Sequence, residues 1–422
     1  MTAVIMAGGK GTRISSVASD IPKPMIQICG KPVLEHQIDC LRQQGLTDII
    51  LVVGYLGRVI EDYFKDGKQF GVTIRYYRET EPLGTAGALY YLKDSLTDDF
   101  LLLNGDIIFD VDFQRLIRYH KEKDGIATIF THPNNHPYDS AIIVTDSESR
   151  IVKWLHKEEP RTNYKNRVNS GIHLFSPKIF DCFSKPGKMD LDREILKPLI
   201  ATRQLFAYDS PEYVRDMGTP ERYVSVCSDF KRGLIQAKNL HNKQKAFFLD
   251  RDGTLNVEDG FVTSPEQIRL IDGVGQAVKR INESGYLAIV ITNQPVIARG
   301  ECSHQDLRRI HNKLETLLGR EGAYLDDIYY CPHHPDKGFP GERVEYKINC
   351  DCRKPKPGLI LKAGRDYNID LTASYMVGNG IADIQAGQSA GCQVAKIGLP
   401  EQSLPNVMAF SGLQECVKAI LG

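Results

Sequence analysis

Short apolar runs rich in β-branched residues alternate with amphipathic stretches along the whole chain. AVIM (3–6), DIILVVGY (48–55), VTIRYY (72–77) and FLLLNGD (100–106) read as strands with helix-like stretches between them. That alternation predicts a mostly parallel sheet covered on both faces by helices. Further strand-like runs follow at ATIFTH (127–132), AIIVTDS (141–147) and GIHLFS (171–176), and a long amphipathic stretch (221–240) ends in the polar HNKQK. The alternation then restarts at AFFLD (246–250), LAIVITN (287–293), DIYYC (327–331) and YMVGN (375–379), and the C-terminus predicts a last strand and helix. The expected organisation is α/β with two domains, 1–240 and 246–422, both Rossmann-like. A length of 422 residues agrees with a prior of about two to three domains.

Composition removes several partners. Lysine plus arginine equals aspartate plus glutamate at 53 each, so no global field favours nucleic acid or an acidic membrane surface. No run approaches the ~18 apolar residues of a membrane span, and the N-terminus lacks a signal-peptide pattern. Ten cysteines in 422 residues do not suggest a disulfide framework, which points to a reducing cytoplasm. Small charged substrates need only local charge and are the expected partners; a homo-oligomer is left open.

Each half opens on a phosphate-handling loop directly after its first strand. In MAGGKGTR (6–13), a glycine-rich strand-to-helix turn offers backbone N–H groups to phosphate oxygens. Gly8, Gly9, Gly11 and Thr12, with Ala7, would form the cradle. Arg13 and Lys23 would neutralise phosphate charge. Its spacing is neither the dinucleotide fingerprint nor the Walker pattern, and alone such a loop is more often a plain tight turn than a phosphate site. It is followed in order by SDIPKPM, EPLGTAGAL (81–89), LLLNGD (101–106) and RDMGTPERY (215–223).

With that ordered set, residues 1–235 resemble the sugar-nucleotide pyrophosphorylase family, and most of all the guanylyltransferases acting on mannose 1-phosphate or heptose 1-phosphate. The resemblance implies that Asp106 and Asp216 hold magnesium, that Gly84 and Thr85 meet the nucleotide, and that Asn169 and Gly171 in VNSGIHLF meet the sugar. The sugar phosphate would attack the α-phosphorus of a nucleoside triphosphate in line, with pyrophosphate leaving. The family's Glu-Lys-Pro is replaced by KEEP (157–160), which leaves Lys157 as the candidate for the sugar phosphate. Base choice stays open.

In FFLDRDGTLN (247–256), Asp250 and Asp252 are two residues apart in an extended segment and so face one pocket. A carboxylate can take a phosphoryl group while the second carboxyl protonates the leaving oxygen. Thr292 in VITNQ and Lys354 in CRKPKPG follow in the order of the haloacid-dehalogenase phosphatases, which this half resembles. CPHHP (331–335) and CDC (350–352) offer Cys331, His333, Cys350 and Cys352 as a closed tetrahedral zinc set, structural rather than catalytic, with His334 in reserve. CDC runs straight into Arg353 and Lys354, so an ordered zinc loop would aim that lysine.

VEDGFVTSPEQ (257–267), the IARG segment (297–300) and the cysteine loop make 246–398 most similar to the heptose 1,7-bisphosphate phosphatases, with the histidinol-phosphate phosphatases as rival. The likeness makes Asn293, Arg299 and Arg353 candidates to grip a sugar phosphate. One departure stands out. Where the family has an aspartate that binds magnesium, VGNGIAD (377–383) has Asn379, so the expected second magnesium set is Asp250, Asp252 and Asn379. Together the likenesses imply removal of the C7 phosphate from D-glycero-D-manno-heptose 1,7-bisphosphate and transfer of GMP to the product. The alternatives are another sugar or base, another phosphomonoester, or a second half that is structural or regulatory.

Overall fold

The computed structural model describes residues 1–9, 21–338, 340–398 and 407–422. Gly11, Thr12 and Arg13 of the first loop lie outside the described residues. Two compact units separate: Met1–His132, Ile143–Leu155 and Asn169–Asn239 form one, and Pro133–Ile142, His156–Val168 and Leu240–Gly422 the other.

The first unit is built on strands β1 (Thr2–Met6), β4 (Asp48–Val53), β5 (Thr73–Arg78), β6 (Phe100–Asn104), β8 (Ala127–His132), β9 (Ile142–Thr145), β10 (Ile151–Leu155), β11 (Val168–Phe175) and β12 (Leu205–Asp209). Short ladders pair β2 (Gln27–Ile28) with β3 (Lys31–Pro32), and β7 (Ile107–Asp110) with β13 (Tyr213–Asp216). The main path runs β10-β9-β11-β6-β1-β4-β5. Central β1 pairs in parallel with β4 and β6, and its Ala3, Val4 and Ile5 are fully buried, as expected of a strand covered on both faces. Beyond β6 the expected parallel order fails, because β11 runs antiparallel to β6 and β9. Among the described residues β10 but no α-helix lies between β9 and β11, so this part of the sheet is not built from the helix-crossover units that give parallel order.

The predicted amphipathic stretch at 221–240 is two helices, Pro220–Lys231 and Leu234–Ala237. Gly233 at φ +71° separates them, a left-handed position that suits glycine.

In the second unit, β14 (Ala246–Leu249), β15 (Leu287–Asn293), β16 (Asp327–Cys331), β17 (Tyr375–Gly378), β18 (Gln393–Ile397) and β19 (Met408–Phe410) form a sheet in the order β16-β15-β14-β17-β18-β19. Each pairing in it is parallel. Side chains of β14 alternate between two cores, Phe247 and Leu249 entering one and Ala246 and Phe248 the other. Each fully buried phenylalanine contributes about 1.5–3 kcal/mol of apolar burial.

In both sheets the first strand lies inside, between β4 and β6 for β1 and between β15 and β17 for β14, and the strand order reverses beside it. That reversal opens a crevice at the carboxyl ends of the strands, where open α/β sheets bind ligands. Gly8 follows β1 and Asp250 follows β14.

Candidate active sites

The first crevice is a cavity of about 930 Å³ lined by Gly8, Gly9, Lys23, Gly84, Thr85 and Asp106 among others. Its floor needs glycine. A Cβ on Gly8 would lie 2.5 Å from Glu79 Oε2, and one on Gly54 would lie 3.0 Å from the Gly8 carbonyl oxygen. Ala7, 1 % exposed, ties this turn to β4 by donating its N–H to the Val52 carbonyl at 2.8 Å.

Asp106 follows β6, and Asp216 ends β13. The β7–β13 ladder sets Asp216 opposite Ile107, and Met217 N–H donates to the Asp106 carbonyl at 3.3 Å. The structure therefore brings together two carboxylates that lie 110 positions apart in the chain. Lys23 Nζ is ion-paired with Asp106. Arg222 donates to both oxygens of Asp216 at 2.9 Å, and Gly218 N–H adds a bond at 2.8 Å. Burial alone would raise the Asp216 pKa, but Arg222, Gly218 N–H and Lys23 together hold it below the usual carboxylate value. Two aspartate side chains so placed offer the oxygen ligands that suit a hard cation such as magnesium.

Gly171 sits at φ +82°, and a Cβ there would come 2.4 Å from Asn104 Nδ2, so this strand touches the cavity-lining Asn104 only as glycine. Asn169 Oδ1 accepts from Gly171 N–H and faces His173 Nε2, both at 3.1 Å, while its Nδ2 donates to Asp192 at 3.3 Å. Sequence reasoning missed Asp192 and the segment around it. Thr85 and Ala86 N–H groups donate to the Met189 carbonyl at 3.0 and 3.1 Å, and Leu191 N–H donates to Thr85 Oγ1 at 2.8 Å. Burial, with Asp190 nearby, pushes the Asp192 carboxyl up to about 6. Lys157 is exposed, is not among the residues lining this cavity, and falls in a segment grouped with the second unit.

The second crevice, of about 460 Å³, gathers Asp250, Asp252, Thr292, Asn293, Arg353, Lys354 and Asn379. Buried Lys354 is held between two carboxylates, 2.7 Å from Asp250 Oδ1 and 2.6 Å from Asp383 Oδ1, and also donates to the Ile291 carbonyl at 2.7 Å. Burial would lower the lysine's pKa, but the two aspartates outweigh it and raise it. Burial also pushes Asp250 up to about 6, opposed by Lys354 and reinforced by Asp383.

Asp252 is fixed on several sides. Fully buried Arg251 donates to both its oxygens at 2.9 Å, and Asn256 Nδ2 and Gln294 Nε2 each donate at 3.0 Å. Gln294 also donates to Thr292 Oγ1 at 2.8 Å, linking two of the expected catalytic residues. None of these three partners was anticipated; the signal was their adjacency to DRDG and VITN. Asn293 bonds the Lys354 backbone at both ends, at 3.0 Å. Arg353 lines the cavity and donates to the His333 carbonyl at 3.2 Å. Arg299 is not among the lining residues; it pairs with Glu301 at 2.7 Å and covers the ring of Phe261, which does line the cavity, at 4.8 Å. Asn379 Nδ2 donates to Glu258 at 2.8 Å.

From the end of β16 onward, Cys331, His333, Cys350 and Cys352 offer ligand atoms within 4.8 Å of one another. Sulfur–sulfur distances of 3.2–3.5 Å and an Nδ1–Sγ distance of 3.3 Å compare with tetrahedron edges of about 3.8 Å expected from ~2.3 Å zinc–sulfur bonds. His334 is turned elsewhere, its Nδ1 accepting from Asp336 N–H at 3.2 Å. Among the described residues no helix is long and apolar enough to cross a membrane.

Residues 2–232 match the nucleotidyl transferase family, and residues 351–397 match a HAD-hydrolase-like family. The first half is 34 % identical over 231 residues to a probable mannose-1-phosphate guanylyltransferase 3 of Oryza sativa, covering 53 % of this chain and 63 % of that protein. The chain thus spans less than two thirds of the length of these curated relatives. The second half is 44 % identical over 149 residues to the D-glycero-β-D-manno-heptose-1,7-bisphosphate 7-phosphatase of Haemophilus ducreyi, covering 35 % of this chain and 79 % of that protein. A solved structure of HddC from Yersinia pseudotuberculosis complexed with GMP-PN is 28 % identical, covers 54 % of this chain and 99 % of its own, and has a TM-score of 0.47.

Proposed function

We propose, for a chain that belongs to the nucleotidyl transferase family and carries a HAD-hydrolase-like phosphatase domain behind it, a bifunctional enzyme of sugar-nucleotide synthesis. The second domain removes the C7 phosphate from D-glycero-D-manno-heptose 1,7-bisphosphate. The first joins the resulting 1-phosphate to GMP from GTP, giving GDP-heptose and pyrophosphate. The observation that carries the reading is the pairing of a 44 % identical heptose-bisphosphatase relative with a guanylyltransferase-like half on one chain, since the product of one reaction is the substrate of the other.

In the phosphatase, Asp250 attacks phosphorus through Oδ2, the oxygen not bonded to Lys354, and the ester P–O bond breaks. Asp252, aimed by Arg251, Asn256 and Gln294, gives its proton to the departing sugar oxygen and then takes one from the water that releases orthophosphate. Thr292 and Lys354 offer donors to the phosphoryl oxygens, and Arg353 meets the rest of the sugar phosphate. In the transferase, the glycine turn and Lys23 cradle the triphosphate while Asn169 and Gly171 orient the sugar. Asp106 and Asp216 in one site, and Asp250, Asp252 and Asn379 in the other, would hold magnesium, which when bound would supply positive charge against phosphate oxygens. The three sulfurs and one imidazole of the second unit suit zinc in a structural role.

A second reading keeps the transferase but gives it mannose 1-phosphate, on the strength of relatives at 33–34 % identity. Incubation with the bisphosphate, GTP and magnesium should release orthophosphate and pyrophosphate and yield GDP-heptose. Absence of orthophosphate would sink the coupled reaction. A screen of four nucleoside triphosphates against heptose and mannose 1-phosphates separates the two readings.

A further inference from the structure

An amide at position 379 can offer a cation one oxygen but no charge, so the pocket has to make good both the charge and the orientation. Glu258, on the loop after β14, lines the same cavity as Asp250, Asp252 and Asn379. Its Oε2 accepts from Asn379 Nδ2 at 2.8 Å. With Nδ2 committed to Glu258, Oδ1 is the end of the amide left to ligate.

The contact is built into the backbone. Gly253, at φ +74° in the turn that carries Asp252, faces both groups: a Cβ there would lie 2.1 Å from Asn379 Nδ2 and 2.8 Å from Glu258 Oε2. Only glycine leaves room for this pair over the catalytic turn. An aspartate at 379 would instead put two carboxylates at hydrogen-bond distance, and like charges at that range repel strongly. Asn379 and Glu258 are therefore matched: together they carry the one negative charge that an aspartate would have brought, with the amide turned by the carboxylate.

We infer that Glu258 is a positioning residue for the second magnesium site, holding Asn379 so that Oδ1 faces the cation and restoring the charge lost by the amide. The inference rests on the phosphatase reading only for the identity of the cation. Glu258 is exposed on a loop, so its substitution leaves the core untouched.

The test is magnesium binding by calorimetry on the full zinc-loaded chain, with Asp216→Asn in every protein to silence the first site. Phosphate release is measured in parallel. Glu258→Gln should weaken magnesium binding about tenfold while Asn379 is present, and by twofold or less once Asn379→Asp supplies its own charged oxygen. An unchanged dissociation constant in Glu258→Gln would overturn the inference. So would equal losses in both backgrounds, which would make Glu258 an independent charge rather than a partner of Asn379, and so would a starting protein that binds no magnesium here. Normal magnesium coupling without phosphate release would leave this inference standing and remove the phosphatase reading instead.

Discussion

The side-chain amide of Asn293 holds the backbone of Lys354 at both ends, Nδ2 donating to its carbonyl and Oδ1 accepting from its N–H, each at 3.0 Å. Asn293 closes β15, whose neighbour β14 delivers Asp250, so one amide docks the lysine loop onto the strand pair carrying the nucleophile. Asn293→Ala should free that loop and cost phosphate release tenfold or more, chiefly in kcat. Asn293→Asp should cost at least as much, because its carboxylate would confront the Lys354 carbonyl without a proton to share. Parallel assays of orthophosphate and pyrophosphate release decide this. Equal loss in both would show a folding defect instead.

The cysteine loop enters the same argument from its other end. Arg353 bonds the His333 carbonyl at 3.2 Å, and Cys352 stands two residues before Lys354. Cys352→Ser should remove about one zinc per chain by elemental analysis, lower the melting temperature of the second unit, and abolish phosphate release while pyrophosphate release persists. Retained phosphatase activity with zinc gone would break the proposed link between the loop and the lysine.

Strand positions were largely legible because buried parallel strands are written as continuous apolar runs. LAIVITN and DIYYC coincide with β15 and β16 to the residue. The antiparallel turn at β11 was not legible, since strand direction depends on connections rather than on the strand's own residues. The fold brings Asp106 to Asp216, and Asp250 to Lys354. Their partners did not announce themselves. Glu258 meets Asn379 across 121 positions, and Thr85 meets Leu191 across 106, separations at which a single sequence carries no pairing signal. The segments Pro133–Ile142 and His156–Val168 group with the second unit, where Asn166 N–H donates to Glu315 at 2.9 Å and buried Arg167 bonds the Asp326 carbonyl at 2.6 Å. Nothing in their composition distinguishes them from the strands that flank them.

The two chemistries should separate cleanly by mutation. Asp106→Asn removes the carboxylate that Lys23 pairs with and that lines the first cavity, and is expected to reduce pyrophosphate release by roughly 10²–10³-fold, in the range typical of a lost electrostatic contact in a transfer site. Orthophosphate release should stay within twofold. Asp250→Asn should do the reverse. Loss of both activities in either protein would argue against two independent sites.

Asp192 gives a pH signature that needs no substrate. Burial raises its carboxyl from 3.8 to about 6, with Asp190 adding and Asn169 opposing. Between about pH 4 and pH 6 the folded protein therefore keeps a proton that the unfolded chain gives up. Stability from this group is greatest below that window, falls as pH rises through it, and stays at the lower value above about pH 6. Asp192→Asn keeps an oxygen to accept from Asn169 Nδ2 and cannot ionise. The variant should match the parent near pH 4 and exceed it by roughly 1–3 kcal/mol at pH 7. Urea unfolding followed at pH 4, 5, 6 and 7 measures the difference. Curves that stay parallel over that range would mean that Asp192 is ionised in the fold throughout, and that the segment bonded to Thr85 is more open to water than its contacts require.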